Sequence, residues 1–400
     1  MESFATIYAK TFYTFFSKLV GTITGLLPFS LVELLAYAAV LWIVWRLGAV
    51  LYFAIRHDTA KMKKHGKRFL RGVIQMLLFI GITYFLNCWI SYRRDSFAVE
   101  IGLQRSKHSA EDLEKLCGYL VTEVNETEEK LWTKANAGTS EAVEAVIEKS
   151  EIKDEAKEGA SEEYTAVPKA YRFPMDDTGS TYSVVGQGEE TEEYNTATWS
   201  YMLSAGREAA KAMSRLGRTY TCLSGPYPKA KPVLFSKIWS EQQTTGFYSP
   251  FTFEANVNRE IPYYDLPFTM CHELSHLRGF MLEDEANFIG ILACADSDNL
   301  YFQYSAYVSA WVYVGNSLAI ENPEAFTTLY GSLNARTRRD LQYNNAYWDQ
   351  YRGKLAETHE KVNDTYLKAN NQPAGTKTYD MVTELLLSYY DQHESLIAGS

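Results

Sequence analysis

Two long apolar runs, separated by a dense cluster of positive charge, limit what this chain can fold into more than any other feature. The first, LVELLAYAAVLWIVWRLGAVLYFAI from Leu31, and the second, FLRGVIQMLLFIGITYFLNCWISY from Phe69 to Tyr92, are each long enough to cross a hydrocarbon core of roughly 30 Å as a helix. Arg46 interrupts the first run, but a long cationic side chain can snorkel, so a span from near Pro28 to about residue 50 accommodates it. Arg71 is the single charge in the second run and lies near its start. Between them, Arg56, Lys61, Lys63, Lys64, Lys67 and Arg68 crowd into RHDTAKMKKHGKR, which reads as a loop. The positive-inside rule assigns such a loop to the cytoplasm and both chain ends to the other side. Two core helices of a soluble protein would leave that charge without a reason.

The charge is divided between two parts of the chain. Residues 1–94 carry 12 Lys and Arg against 3 Asp and Glu, whereas 95–400 carry 27 against 46. An acidic body lacks the surface needed to displace counterions from phosphate, which excludes nucleic acid as a partner. A hydrophobic content of 46% with 14% aromatic residues excludes a wholly disordered chain, a collagen and a coiled coil. Residues 1–30 are neither a signal peptide nor a third span, because Lys10 and Lys18 break the apolar run and no small-residue cleavage site follows. Phe4, Tyr8, Phe12, Phe15, Phe16 and Leu19 recur there at helical spacing, which suits a helix in the membrane interface or one packed on the soluble body.

The expected organisation is therefore an interfacial segment at 1–30, two transmembrane helices within 31–94, and an extracytoplasmic domain from 95 to 400. Leu103, Leu113, Leu116, Leu120 and Val124 mark an amphipathic helix region between Ser96 and Ala137. Residues 138–193 are rich in Glu, Lys, Ala, Ser, Thr and Gly and read as a solvated, mobile acidic insertion. The spacing of Cys117, Cys222, Cys271 and Cys294 resembles no zinc ribbon or CxxC motif, and Cys271 and Cys294 read as small buried apolar groups.

The chemistry concentrates in LPFTMCHELSHLRGFMLEDEANFIGILACA, Leu266 to Ala295. His272 and His276 are four apart, so on a helix they differ by about 40° and present both imidazoles to one point. Glu273 lies about 100° round, where a carboxylate can reach a metal-held water without holding the metal, as a metallopeptidase base must. With 7 histidines in 400 residues, an HExxH match is expected by chance only about a hundredth of a time. A catalytic zinc takes three protein ligands, and on a straight helix Glu283 would lie about 10 Å beyond His276. A chain reversal at Arg278-Gly279-Phe280 would let a second helix start near Met281 and bring an early carboxylate back. Glu283, Asp284 and Glu285 all qualify by chemistry. The ExxAN form of Glu283 to Asn287 favours Glu283, with Asn287 placed to hold a histidine ligand by a hydrogen bond, and Glu285 stays as the alternative.

This pattern resembles the gluzincin metallopeptidases, in which HExxH is followed by a glutamate ligand on a second helix. The two spans, CHELSHLRGF, EDEANFIGILAC, GFYSPFTFEANVN and YLKANNQPAGTKTYDMV also resemble a bacterial membrane family, domain of unknown function 3810. The likeness covers nearly the whole chain apart from the acidic insertion. It implies a membrane-anchored zincin-like domain in which His272, His276 and Glu283 match the zinc ligands and Glu273 the base. The sequence departs from most gluzincins in a much shorter His276 to Glu283 gap and in Asn287 where many have aspartate.

Upstream, Gly246 to Asn258 reads as extended, either an edge strand above the metal or an ordinary core strand, with Asn256 and Asn258 as candidates to orient a peptide carbonyl or to form a turn. Downstream, Tyr301, Tyr304 and Tyr307 fall at helical spacing, and Tyr304 is the candidate oxyanion donor. The expected fold is mainly α (α+β): two N-terminal transmembrane helices and a zincin-like, mostly helical domain with a small sheet beside the HExxH helix. The expected function is zinc-dependent peptide hydrolysis at a bacterial inner membrane, with membrane lipid and a peptide or protein substrate as partners. A non-catalytic scaffold stabilised by zinc is the rival.

Overall fold

A computed structural model describes residues 3–105, 108–137 and 197–397; the acidic insertion expected at 138–193 lies outside them. The chain is mostly helical. Helix α1 (Thr14–Gly25) continues two shorter helical turns, Phe4–Tyr8 and Ala9–Tyr13, and is followed by α2 (Leu31–Ile55) and α3 (Thr59–Tyr84). Helix α2 and the helical stretch Thr59–Arg93 are long and apolar enough to cross a membrane, and only 6% and 11% of their apolar windows are buried. A core helix would hide that surface; these two turn it outward.

The basic segment is not the loop expected from the sequence. Only Arg56 to Asp58 turns the chain, Asp58 caps the next helix through the Lys61 N–H at 3.0 Å, and the lysines occupy the opening turns of α3. Lys, Ala and Met are good helix formers, and charge alone does not break a helix. Arg46 is buried against α3 and donates to the His65 carbonyl at 3.3 Å.

The N-terminal stretch packs by the face opposite its aromatic stripe. Ala9, Tyr13, Ser17, Gly21 and Thr24 face the domain; Tyr13 Oη donates to the His276 carbonyl at 2.6 Å and Ser17 Oγ to that of Leu277 at 2.7 Å. Phe4, Phe12, Phe15 and Leu19 remain exposed.

In the body, α4 (Ala110–Ala137) buries Leu113, Leu116, Leu120 and Val124, as their spacing requires, and packs along α8 (Leu300–Glu321). Helix α5 (Trp199–Thr219), α6 (Asp265–Ser275), α7 (Glu283–Ala295) and α8 enclose the core. Every residue of α6 from Leu266 to Ser275 is buried, with Met270, Cys271 and Leu274 in the core on one side. Phe288 and Ile289 of α7 are fully buried, contributing on the order of 1.5–3 kcal/mol each.

A small sheet lies beside α6. Strands β1 (Lys231–Pro232), β2 (Gly246–Ser249) and β3 (Glu254–Val257) run in the order β1-β3-β2, with β3 parallel to β1 and antiparallel to β2. GFYSPFTFEANVN is thus a hairpin rather than one strand. The sheet also anchors α2: the buried Glu254 carboxylate pairs with buried Lys231 and accepts from the N–H groups of Leu31 at 3.1 Å and Val32 at 3.0 Å. A carboxylate at a helix N-terminus satisfies donors the helix cannot.

Candidate metal centre

Helix α6 ends as the sequence suggests. His276 to Arg278 tighten into a 3-10 turn, and Gly279 takes the left-handed φ of 81° that reverses the chain without a Cβ penalty. Leu282 is extended, so α7 starts at Glu283, two residues later than expected. This places Glu283 in the first turn of α7, opposite the imidazoles of α6.

Side-chain donor atoms of His272, His276 and Glu283 all lie within 4.8 Å of one another. His272 Nε2 is 3.2 Å from Glu283 Oε2, near the spacing of two ligands about 2 Å from one tetrahedral ion. Both imidazoles are held from behind: His272 Nδ1 faces Asn287 Oδ1 at 2.8 Å, and His276 Nδ1 faces the Phe280 carbonyl at 2.6 Å. An acceptor there makes Nδ1 the protonated nitrogen and leaves the Nε2 lone pair for a metal. Burial pushes His276 down to about 4, so it is neutral near pH 7. For His272, burial acts downward but is outweighed by Glu283 and Glu273, and its pKa lies above the ordinary value. Two imidazoles and a carboxylate are a donor set that fits zinc.

Glu285 does not share this point. Its Oε2 accepts from the Phe97 N–H at 2.7 Å, which turns the carboxyl away from the histidines. Asp284 pairs with Arg105 at 3.1 Å.

Glu273 is buried beside the three and lines a cavity of about 680 Å³ with them. Burial pushes its carboxyl up to about 8, against a lowering by His272. Strand β2 forms the adjoining wall, and its first residue has to be small. A Cβ on Gly246 would come within 2.9 Å of both Glu273 Oε1 and Thr269 Cγ2. Strand β2 is also an edge. Asn258 N–H donates to the Thr245 carbonyl at 2.8 Å, so alternation along the pair turns the amide groups of Gly246 and Tyr248 away from β3.

Besides Glu285, three sequence candidates fall outside the cavity lining. Tyr304 is fully buried, and its hydroxyl donates to Asp340 Oδ2 at 2.6 Å instead of facing the histidines. Asn256 Nδ2 donates to the Glu254 carbonyl at 3.1 Å, and Asn258 Nδ2 to Ser240 Oγ at 2.9 Å, so these amides hold the sheet and its neighbouring turn together. Conversely, the cavity is lined by residues the sequence did not single out: Tyr84, Cys88, Tyr92, Asp265, Tyr313 and His359. Asp265 was legible in principle, because it precedes His272 by two helical turns and so shares its face. Burial pushes its carboxyl up to about 7. The others come from distant segments, and no local pattern marks them. All five cysteines are free, with Cys271 and Cys294 fully buried.

No curated protein and no solved structure matches the chain. A family model described as "Protein of unknown function (DUF3810)" does, over residues 8–387, and the chain belongs to that family.

Proposed function

We propose that this protein is a membrane-anchored zinc metallopeptidase, held by α2 and α3 in a bacterial inner membrane with its body on the extracytoplasmic face. One observation carries the catalytic part: His272, His276 and Glu283 converge with both Nδ1 atoms occupied, while Glu273 stands next to them in the cavity without joining them. A scaffold needs four closing ligands and no base; three donors opening on a cavity support an enzyme.

Bound zinc supplies Lewis acidity, which polarises a carbonyl and makes water a nucleophile near neutral pH. Glu273 takes the proton of the attacking water. The same carboxyl can then pass that proton to the leaving amine. The outward amide groups of Gly246 and Tyr248 can pair with an extended peptide, adding a strand at the edge of the sheet over Glu273. The anchoring part is supported by the exposed apolar surfaces of α2 and α3 and by the basic start of α3, which the positive-inside rule assigns to the cytoplasm.

The test uses full-length protein in detergent. Wild type should carry about one zinc per chain, as a single site implies, and should cleave members of a broad peptide library. Glu273→Gln should keep the zinc and lose the cleavage, since a base acts on water and does not hold the ion. Full zinc occupancy in a His272→Ala/His276→Ala double variant would refute the site, and a zinc with four protein ligands would favour the scaffold.

A further inference from the structure

We infer that the cavity opens at the bilayer surface and that its substrates are peptide segments immediately adjoining a membrane anchor. This rests on the proposed metallopeptidase reading and names its substrate class. The cavity wall is not built by the body alone. Tyr84, Cys88 and Tyr92, from the end of the second apolar helical stretch, line the same cavity as His272, Glu273, His276 and Glu283.

The depth of that wall follows from helix geometry. A core of roughly 30 Å takes about 20 helical residues. Counted from Arg68, the last charge of the basic cluster, the far boundary falls near Cys88. The same count back from Arg56 along α2 ends near Ala36, next to Tyr37, whose ring meets Phe235 edge-on at 5.4 Å. The catalytic cavity and the Phe235 segment thus both lie at the level of that boundary.

Both rims carry the surface such a position requires. The segment leading into the cavity-lining Trp239 exposes Leu234, Phe235 and Ile238, and is tied to α2 by Glu33, which accepts from the Leu234 N–H at 2.7 Å and the Phe235 N–H at 3.1 Å. Helix α9 (Lys354–Ala369) contributes His359 and Asn363 to the cavity and exposes Leu355, Val362 and Tyr366. It is tied to the second apolar stretch, since the Tyr366 ring lies 6.2 Å from that of Tyr84 and 6.3 Å from that of Tyr92. Exposed apolar side chains on both rims, continuous with two apolar helices, fit a lipid surface. A peptide reaching the cavity alongside these helices must leave the bilayer close to them.

The experiment reconstitutes full-length, zinc-loaded protein in phosphatidylcholine vesicles and has two readouts. With a phosphatidylcholine carrying a photoactivatable diazirine, adducts should form on Phe235, Ile238, Leu355 and Val362 as well as on α3. Adducts confined to α2 and α3 would overturn the placement, whatever the activity. For the substrate class, one library-derived cleavable peptide is fused to a single transmembrane helix at about 4 or about 30 residues from the bilayer, roughly 14 Å or 100 Å of extended chain. The near fusion should be cleaved about tenfold faster or more than the far one, because only it is held in register with the cavity. Equal rates would overturn the substrate class while leaving the peptidase reading intact. If neither fusion is cleaved while the free peptide is, the substrate class fails and the peptidase reading stands; if no library peptide is cleaved at all, the peptidase reading fails, and the lipid adducts still decide the placement.

Discussion

Replacing Asn287 with leucine tests whether the geometry behind the histidines matters. The two side chains have similar volume, so the change removes a hydrogen bond with little effect on packing. Asn287 Oδ1 lies 2.8 Å from His272 Nδ1, and both residues are buried. Without that acceptor, the Nδ1–H of His272 is left unpaired, and the imidazole can instead protonate Nε2, the nitrogen facing Glu283. Partners of this kind are worth about 10- to 100-fold in metal affinity, or about 1.4–2.7 kcal/mol. His276 offers an internal contrast, because its Nδ1 is held by the Phe280 backbone carbonyl at 2.6 Å, which no side-chain substitution removes. Zinc affinity is read by competition with a chelating dye, using full-length protein in detergent at pH 7.4. Asn287→Leu should fall in the stated range and Asn287→Asp should stay at or above wild type, since a carboxylate is the stronger acceptor. An Asn287→Leu affinity within about threefold of wild type, alongside a large loss in Glu283→Gln, would show that His272 needs no orienting partner.

Glu285→Gln should leave zinc affinity near wild type, because its carboxyl faces Phe97 at 2.7 Å; a loss equal to that of Glu283→Gln in the same dye assay would reassign the third ligand. Glu254→Leu leaves the buried Lys231 ammonium with the Thr24 carbonyl but no counter-charge and should cost about 3–5 kcal/mol, seen as a melting-temperature drop on the order of 10 °C in detergent. Lys231→Met should cost less, because Glu254 keeps the Leu31 and Val32 N–H groups, and equal losses would contradict that asymmetry. Burial pushes Asp340 up to about 6, above its unfolded value, so the folded state binds its proton more tightly. Its contribution to stability is then greatest below pH 4 and is lost as pH rises through 6. Asp340→Asn should gain on wild type in thermal melts between those limits, and parallel curves would refute the shift.

Local patterns in the sequence carried several features through to the structure because their causes are local. The run from Leu31 and the run from Phe69 became exposed helices because they consist almost entirely of apolar residues. The facing imidazoles of His272 and His276 follow from 3.6 residues per turn, and the reversal between them and Glu283 follows from Gly279, which alone tolerates its positive φ there without strain. Leu113 to Val124 became the buried face of α4 for the same periodic reason.

What only the tertiary structure decided are the contacts between distant segments, which no local periodicity encodes. Whether Glu283 or Glu285 meets the histidines depended on where Leu282 lets α7 begin and on Phe97, nearly 200 residues earlier, offering its N–H to Glu285. Tyr304 has the chemistry of an oxyanion donor, but packing gave its hydroxyl to Asp340. The aromatic stripe of the N-terminal helix faces outward because the opposite face carries the hydroxyls of Tyr13 and Ser17 that meet the His276 and Leu277 carbonyls. Placing Tyr84, Cys88 and Tyr92 in one cavity with Glu273 required α3 to end against the body, and a helix sequence records which side is apolar without recording what that side will meet.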